Sequence, residues 1–237
     1  MRAVRRHGRP LTFLRLSLKN FLSYRTGVLD FGDLVALVGP NASGKSNAVA
    51  AIKLLREIPI HGLPTAIARR GGFDQLRHRS SGHPYDPAIR LEFKFDEQPV
   101  SYYELRLRAM AGKRYEVKLE QAEVYYGGKK YLFRHSDGEF LWADHLDDEE
   151  ADELIPHAGL EAVRVPPGQS VVSLGGPSFA TYLVSTVLQE VQTVEINPAR
   201  VAELQEPSSV REFEPDGSNT ASVFESLTAP ARKEVID

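Results

Sequence analysis

The chain has 237 residues, 42% hydrophobic and 26% charged, the proportions of an ordinary globular protein, which excludes a collagen, a coiled-coil rod and wholesale disorder. Lys plus Arg number 29 against 32 Asp plus Glu, for a net charge of -3, so nothing marks a globally basic nucleic-acid binder, although a local basic patch is compatible with that balance. Cysteine is absent, which excludes disulfides, thiolate metal sites and cysteine nucleophiles.

The first ten residues carry Arg2, Arg5, Arg6 and Arg9 and read as a solvated tail, with a basic arm touching phosphate or a partner as the alternative. The apolar stretch after them is broken by Arg15 and Lys19. It is therefore no signal-peptide core, and no uncharged run approaches the roughly 20 residues that span a bilayer. The expectation is a cytoplasmic protein with no membrane partner. Leu11 to Leu18 partly alternates and reads as a strand, and Gly27 to Phe31 as a second short one. Leu34 to Val38 (LVALV) is continuously apolar and β-branched, which suits a strand buried on both faces of a sheet.

That run enters Gly39-Pro40-Asn41-Ala42-Ser43-Gly44-Lys45-Ser46, which matches G-x-x-x-x-G-K-[ST] at every fixed position. Asn47 to Glu57 follows with Val49, Ile52 and Leu55 on one helical face, and the helix is expected to stop before Pro59. A strand, a glycine-rich turn and a helix are the context a phosphate-binding loop requires. Gly39 and Gly44 let the backbone curl so that successive N–H groups point at phosphate oxygens. The helix N-terminus adds partial positive charge on the same side. Lys45 reaches the β- and γ-phosphates as a point charge, and the Ser46 hydroxyl completes a Mg²⁺ shell. Residues 39 to 47, through Asn47, are therefore the candidate phosphate contacts. ATP and Mg²⁺ are the implied ligands.

Gly62 to Gly82 reads as a loop with a basic run of Arg69, Arg70, Arg77, His78 and Arg79: a solvated surface, or alternatively a face for phosphate or DNA. Gln75 lies within it as a candidate to approach the nucleotide. From Ala88 to Ala143 the period becomes two. Ile89–Phe95, Tyr102–Arg108 and Arg114–Tyr126 alternate, Gly127-Gly128 and Asp137-Gly138 turn the chain, and Lys129–Arg134 and Glu139–Trp142 return it. This is an antiparallel meander with one apolar and one wet face. Asp147 to Glu153 is acidic and reads as a solvated helix start. Gln169 to Leu174 is a candidate short strand, and Phe179 to Val194 a helix followed by a strand. Asn197-Pro198 and Glu206-Pro207 break the chain, and Asp216-Gly217-Ser218-Asn219 opens a last helix through about Leu227.

The order of these pieces resembles the amino-terminal half of the RecF/SMC-like, ABC-type ATPases, and more closely the bacterial AAA family ATPases related to the overcoming-lysogenization-defect nucleases. The residues that carry the resemblance are Leu16-Ser17-Leu18-Lys19-Asn20-Phe21-Leu22-Ser23-Tyr24, Leu34 to Val38, Gly39 to Ser46, Ile196-Asn197-Pro198 and Asp216-Gly217-Ser218-Asn219. It implies an α/β P-loop NTPase head with an inserted antiparallel β-meander subdomain, pairing with a second head around two ATP molecules and acting on DNA in repair or phage defence. It also implies a carboxy-terminal segment bearing an ABC signature, a Walker B strand ending in Asp-Glu and a switch His. None of these is found. Leu91 to Glu97 imitates a Walker B segment, but its alternation places Glu92 and Lys94 on one face, unlike a strand buried on both. The glutamine that such heads carry after the β-subdomain is also missing from Ser173 to Pro177, with Gln169 as a substitute.

The chain is therefore expected to be an incomplete head: a fragment, a split gene's first half or a degenerate copy. The expected layout is a basic tail over 1–10, a P-loop lobe over 11–87, a β-subdomain over 88–145, and over 146–237 a mixed α/β return to the sheet and the start of a helical lobe. The leading function is an ATPase, with Lys45 and Ser46 as its catalytic residues. The rivals are a non-hydrolysing nucleotide-binding module that assembles with a partner, a small P-loop kinase, and a DNA-binding structural protein with a vestigial loop. Tyr24 is a candidate to stack on a base, with a buried strand-end aromatic as the competing reading.

Overall fold

The computed structural model describes residues 11–32, 35, 37–79, 85–112, 114–146, 163–175, 178–191, 193, 197–207, 209, 213–214, 216–227, 229 and 232. The basic tail and the acidic stretch Asp147–Glu153 lie outside them. The described chain divides into two compact units, one ending at Val191 and the other beginning at residue 192.

In the first unit, alternating apolar residues build one antiparallel sheet. Its strands are β1 (Leu11–Phe21), β2 (Tyr24–Asp30), β3 (Ala88–Phe95), β4 (Ser101–Met110), β5 (Arg114–Tyr126), β6 (Lys129–Ser136), β7 (Glu139–Leu146) and β8 (Val163–Arg164). Their order is β2-β1-β3-β4-β5-β6-β7-β8. Because β3 pairs with β1, Leu16 opposite Leu91, the sheet runs unbroken from the first hairpin into the meander. On β3 the burial alternates strictly: Ile89, Leu91, Phe93 and Phe95 point to the core, and Glu92 and Lys94 do not. Each such buried side chain contributes about 1.5–3 kcal/mol relative to exposure.

Helices cover that face. Helix α1 (Lys45–His61) buries Ala48, Ala51, Ile52, Leu54, Leu55 and Ile58, a helical stripe. Leu54 shares the walls of a small apolar void with Phe21, Ile89, Leu105 and Leu107, which places α1 over β1, β3 and β4. The expected stop before Pro59 is corrected: Pro59 lies inside α1. Only the last turn lies beyond it, so the lost N–H disrupts little, and the Gly62 N–H closes the helix on the Ile58 carbonyl at 2.9 Å. The stretch expected as a loop from Gly62 contains α2 (Leu63–Ala68) and α3 (Phe73–Leu76), whose Leu63, Ala66, Ile67, Phe73 and Leu76 are buried. They are too short to show a helical period.

Two more strand expectations are corrected. Val35, Leu37 and Val38 form no strand, and Val38 is 90% exposed. An apolar strand buried on both faces needs a strand on each side, and the described sheet, antiparallel throughout, ends at β2. Residues Val171–Leu174, expected extended, are the helical turn α4. Helix α5 (Phe179–Glu190) fulfils the expected helix and packs on β5, β6 and β7. Val191 and Thr193 after it are not in a strand, and Gln192 and Val194 lie outside the described residues.

In the second unit α6 (Pro198–Ala202) is capped by Asn197, which accepts from the Ala199 N–H. Helix α7 (Thr220–Ser226) follows the Asp216–Asn219 turn, as expected. The Asn197 N–H donates to the Asp216 carbonyl at 3.1 Å, so the two motif segments meet.

One buried carboxylate ties the sheet to α4. Glu120 is fully buried. It accepts from Tyr103 Oη at 2.9 Å, Ser170 Oγ at 2.5 Å and the Val171 N–H at 2.8 Å, and it faces His135 Nδ1 at 3.5 Å. Burial, followed by the Glu120 carboxylate, holds the Tyr103 phenol well above its usual range, so it stays a donor. Removing the acceptor strands three donors, whereas removing one donor leaves two in place. Glu120→Ala is therefore expected to destabilise by about 3 kcal/mol or more and Tyr103→Phe by about 1 kcal/mol, measured by urea unfolding followed by circular dichroism.

Candidate nucleotide-binding site

The candidate loop is shaped by residues that accept a left-handed backbone. Gly44 is the N-cap of α1 at φ 96, Gly39 stands at φ 156, and Ala42 between them at φ 64. A Cβ on Gly44 would lie 3.1 Å from Ser23 Oγ and 3.2 Å from Tyr24 Oη, and one on Gly39 would lie 3.1 Å from Ser43 Oγ. Glycine is thus favoured at Gly44 by φ, and a Cβ there would crowd Ser23 Oγ and Tyr24 Oη. Inside the loop the Ser43 N–H donates to the Pro40 carbonyl at 3.3 Å, and the Asn47 and Ala48 N–H groups to the Gly44 carbonyl at 2.9 and 3.1 Å. The first turn of α1 has no side-chain cap and no acidic residue. Its leading N–H groups and the positive end of a 17-residue helix are therefore uncompensated by the helix itself.

Lys45 lies across this loop. Its Nζ donates to the Gly39 and Pro40 carbonyls, both at 2.7 Å, and approaches Ser43 Oγ at 3.2 Å. The cation is held where the loop curls, bonded only to neutral oxygens. A phosphate oxygen in its place is the stronger acceptor, because bonds between two charged groups are roughly twice as strong as neutral ones. Ser46 is exposed at the second position of α1, and Asn41, Ala42 and Ser43 are exposed beside it. A curl that a Cβ would obstruct, a free helix end, a poised cation and an open hydroxyl together fit a Mg-bound polyphosphate.

Of the other candidates, Asn47 and Tyr24 lie beside the loop. The Asn47 side-chain amide donates to Ser23 Oγ at 2.7 Å. Tyr24 donates to the Gly44 carbonyl at 3.1 Å and lies along Gly27, whose Cβ would sit 2.5 Å from its ring. Its ring is therefore engaged by its own hairpin. Gln75, on α3, accepts from Arg79 Nη2 at 2.7 Å. Gln169 precedes α4 and donates its N–H to Pro166 at 3.1 Å, while Gly168 beside it accepts from Tyr115 Oη at 3.1 Å. Among the described residues no hydrogen bond joins either glutamine to the loop. The basic run is largely committed to local partners. Arg70 forks onto Glu57 at 2.8 and 3.1 Å, Arg77 approaches Asp74 at 3.6 Å, and His78 Nδ1 meets the Leu22 carbonyl at 2.9 Å. Burial opposes ionisation of Glu57, and Arg70 outweighs it, holding the carboxyl below its usual range. Sequence reasoning missed Ser23 as part of the site. Its signal was a hydroxyl at the tip of the hairpin preceding the loop.

A family model described as "AAA domain, putative AbiEii toxin, Type IV TA system" matches residues 34–170, more than half of the chain, and that span contains the whole loop. The chain belongs to this AAA-domain family. It is an AAA-type P-loop ATPase domain, mixed α/β around an antiparallel sheet. One solved structure, from work on the structural biochemistry of ATP-driven dimerization and DNA-stimulated activation of SMC ATPases, is similar to this AAA domain over 95% of this chain and 98% of that one. The sequence identity is 15% and the TM-score 0.38. A comparison with curated proteins gives no match. Among the described residues no helix is long and apolar enough to cross a membrane, and no group of three or more His, Asp or Glu side chains is placed to hold a metal ion.

Gly44→Ala forces an L side chain into a left-handed backbone already in contact with Ser23 and Tyr24. It is expected to cost about 1–3 kcal/mol and to speed hydrogen exchange at the amides of residues 43–48 while leaving those of β3 and β4 protected.

Proposed function

We propose that this AAA domain binds Mg·ATP in the Gly39–Ser46 loop and works as the ATPase head of a RecF/SMC-like, ABC-type machine in the cytoplasm. Its catalytic interface is completed by a second head or by a further segment bearing the Walker B acid. The observation that carries the reading is the Lys45 ammonium held over a glycine-shaped curl at the uncapped start of α1. In hydrolysis, water attacks the γ-phosphate in line, the bond to the β-phosphate oxygen breaks, and ADP and phosphate leave. Lys45 leaves the loop carbonyls for the β- and γ-phosphate oxygens and stabilises the charge that develops there. Backbone N–H groups of residues 41, 42 and 44–46 orient the phosphates without reorganising. Ser46 would hold Mg²⁺, which when bound neutralises phosphate charge. An acid to orient water is the part a partner supplies. DNA is the substrate on which the ATP cycle acts, in repair or phage defence.

Equilibrium ATP binding and phosphate release, measured on the wild type beside Lys45→Ala and Ser46→Ala, test this. Lys45→Ala is expected to weaken ATP binding about 10-fold or more, the loss of a charge-assisted contact. Ser46→Ala is expected to remove most of the Mg²⁺ dependence of binding. Binding through Lys45 without turnover by the chain alone supports the half-site reading. Equal ATP binding by wild type and Lys45→Ala overturns it.

A further inference from the structure

The loop is braced from outside by the hairpin that precedes it. The β1–β2 turn is built on two non-glycine residues in the left-handed region, Asn20 at φ 51 and Leu22 at φ 49, a conformation that persists only where the surroundings hold it. They do so on one side through the segment after α3. The Leu22 N–H donates to the Leu76 carbonyl at 2.7 Å, the His78 N–H to the Asn20 carbonyl at 2.8 Å, and Phe21 bridges to Arg77. On the other side the same turn reaches the start of α1. Tyr24 Oη bonds the Gly44 carbonyl at 3.1 Å, the carbonyl that also accepts from the Asn47 and Ala48 N–H groups. Ser23 Oγ accepts from the Asn47 side chain at 2.7 Å. The Tyr24 ring reaches that place only because residue 27 has no side chain: a Cβ on Gly27 would lie 2.5 Å from Cδ1 and 3.0 Å from Cε1.

We infer that Tyr24 and Ser23 are positioning residues for the phosphate-binding loop, with Gly27 as the notch that admits the tyrosine ring. They touch no phosphate. They set the direction of the Gly44 peptide, and with it the direction in which the first N–H groups of α1 point. A hydrogen bond to the N-cap carbonyl fixes that peptide plane, and oriented N–H groups bind an anion without first paying for alignment. The inference rests on the Mg·ATP reading of the loop.

The test compares the whole chain with Tyr24→Phe, Gly27→Ala, their double variant and Lys45→Ala. Mg·ATP affinity, melting temperature and amide exchange of the ligand-free protein are measured for each. Tyr24→Phe keeps the ring and loses one hydrogen bond. It is expected to weaken Mg·ATP binding about 2- to 10-fold, to speed exchange at residues 44–48 without ligand, and to leave the melting temperature within about 2 °C. Gly27→Ala is expected to do the same by displacing the ring, and the two changes together are expected to be less than additive. Should Gly27→Ala fail to fold, Tyr24→Phe decides. If Lys45→Ala abolishes binding while Tyr24→Phe binds as the wild type does, the inference falls and the Mg·ATP reading stands. If Tyr24→Phe weakens binding with unchanged exchange in the ligand-free protein, Tyr24 contacts the nucleotide directly and the positioning role is overturned. If the wild type binds no ATP, both fall.

Discussion

The left-handed peptide at Gly44 is the constraint on which the rest of the site depends. A helix that begins there favours a residue without a side chain, because φ is 96 and a Cβ would crowd Ser23 and Tyr24. That single conformation turns the chain from the loop into α1, brings the Lys45 side chain back over residues 39–43, and leaves the leading N–H groups of the helix facing out. Local geometry and long-range charge are thus set at one residue: the curl that glycine permits is also the place where the helix dipole ends.

The sheet provides what such a loop cannot provide for itself, a fixed frame. A loop of glycine, serine and asparagine has little to bury, so its position must come from neighbours. α1 lies by its apolar stripe over β1, β3 and β4, and the β1–β2 hairpin meets its first turn from the side. The Glu120 network plays the same part for α4, with one carboxylate gathering donors from β4 and from the residues that open the helix. In both places a few polar contacts select one arrangement among several that apolar burial alone would permit. Removing one partner is costly because the others are then left unpaired.

Much of this was legible in the residues. The strands of the meander follow from strict alternation and from Gly127-Gly128 and Asp137-Gly138, because a half-buried strand writes a period of two into its sequence whatever it pairs with. Helix α5 and the turn before α7 follow from similar local signals. The failures have particular causes. Val171 and Val172 look like strand residues because they are β-branched, but both are buried in a helical turn whose first N–H is held by Glu120. Glu120 itself could not be placed: a register shift between Arg106 and Leu107 against β5 moves the inward side of β5 from Val117 to Glu120, Ala122 and Val124. One extra residue in a strand reverses which side chains face the core. The Leu34–Val38 run has the composition of a buried strand, yet composition supplies no neighbour to pair with, and Val38 is exposed.

The sequence alone determined the chemistry of the loop. Two glycines at fixed spacing, a lysine and a hydroxyl between apolar flanks are the residues the proposed phosphate cradle draws on, and they act through backbone conformation and charge, both of which are local. The family match over residues 34–170 spans that loop. Only the tertiary structure decided what holds the cradle in place. That Tyr24 and Ser23 abut Gly44 and Asn47, 20 and 24 positions away in the chain, depends on the register of one hairpin and on the side chain that Gly27 lacks. That Gln75 is engaged by Arg79 and that no hydrogen bond among the described residues joins Gln169 to the loop depends on where α3 and the loop before α4 pack. Contacts between distant segments are set by how complete elements bury their faces against one another, and no window of sequence contains that sum.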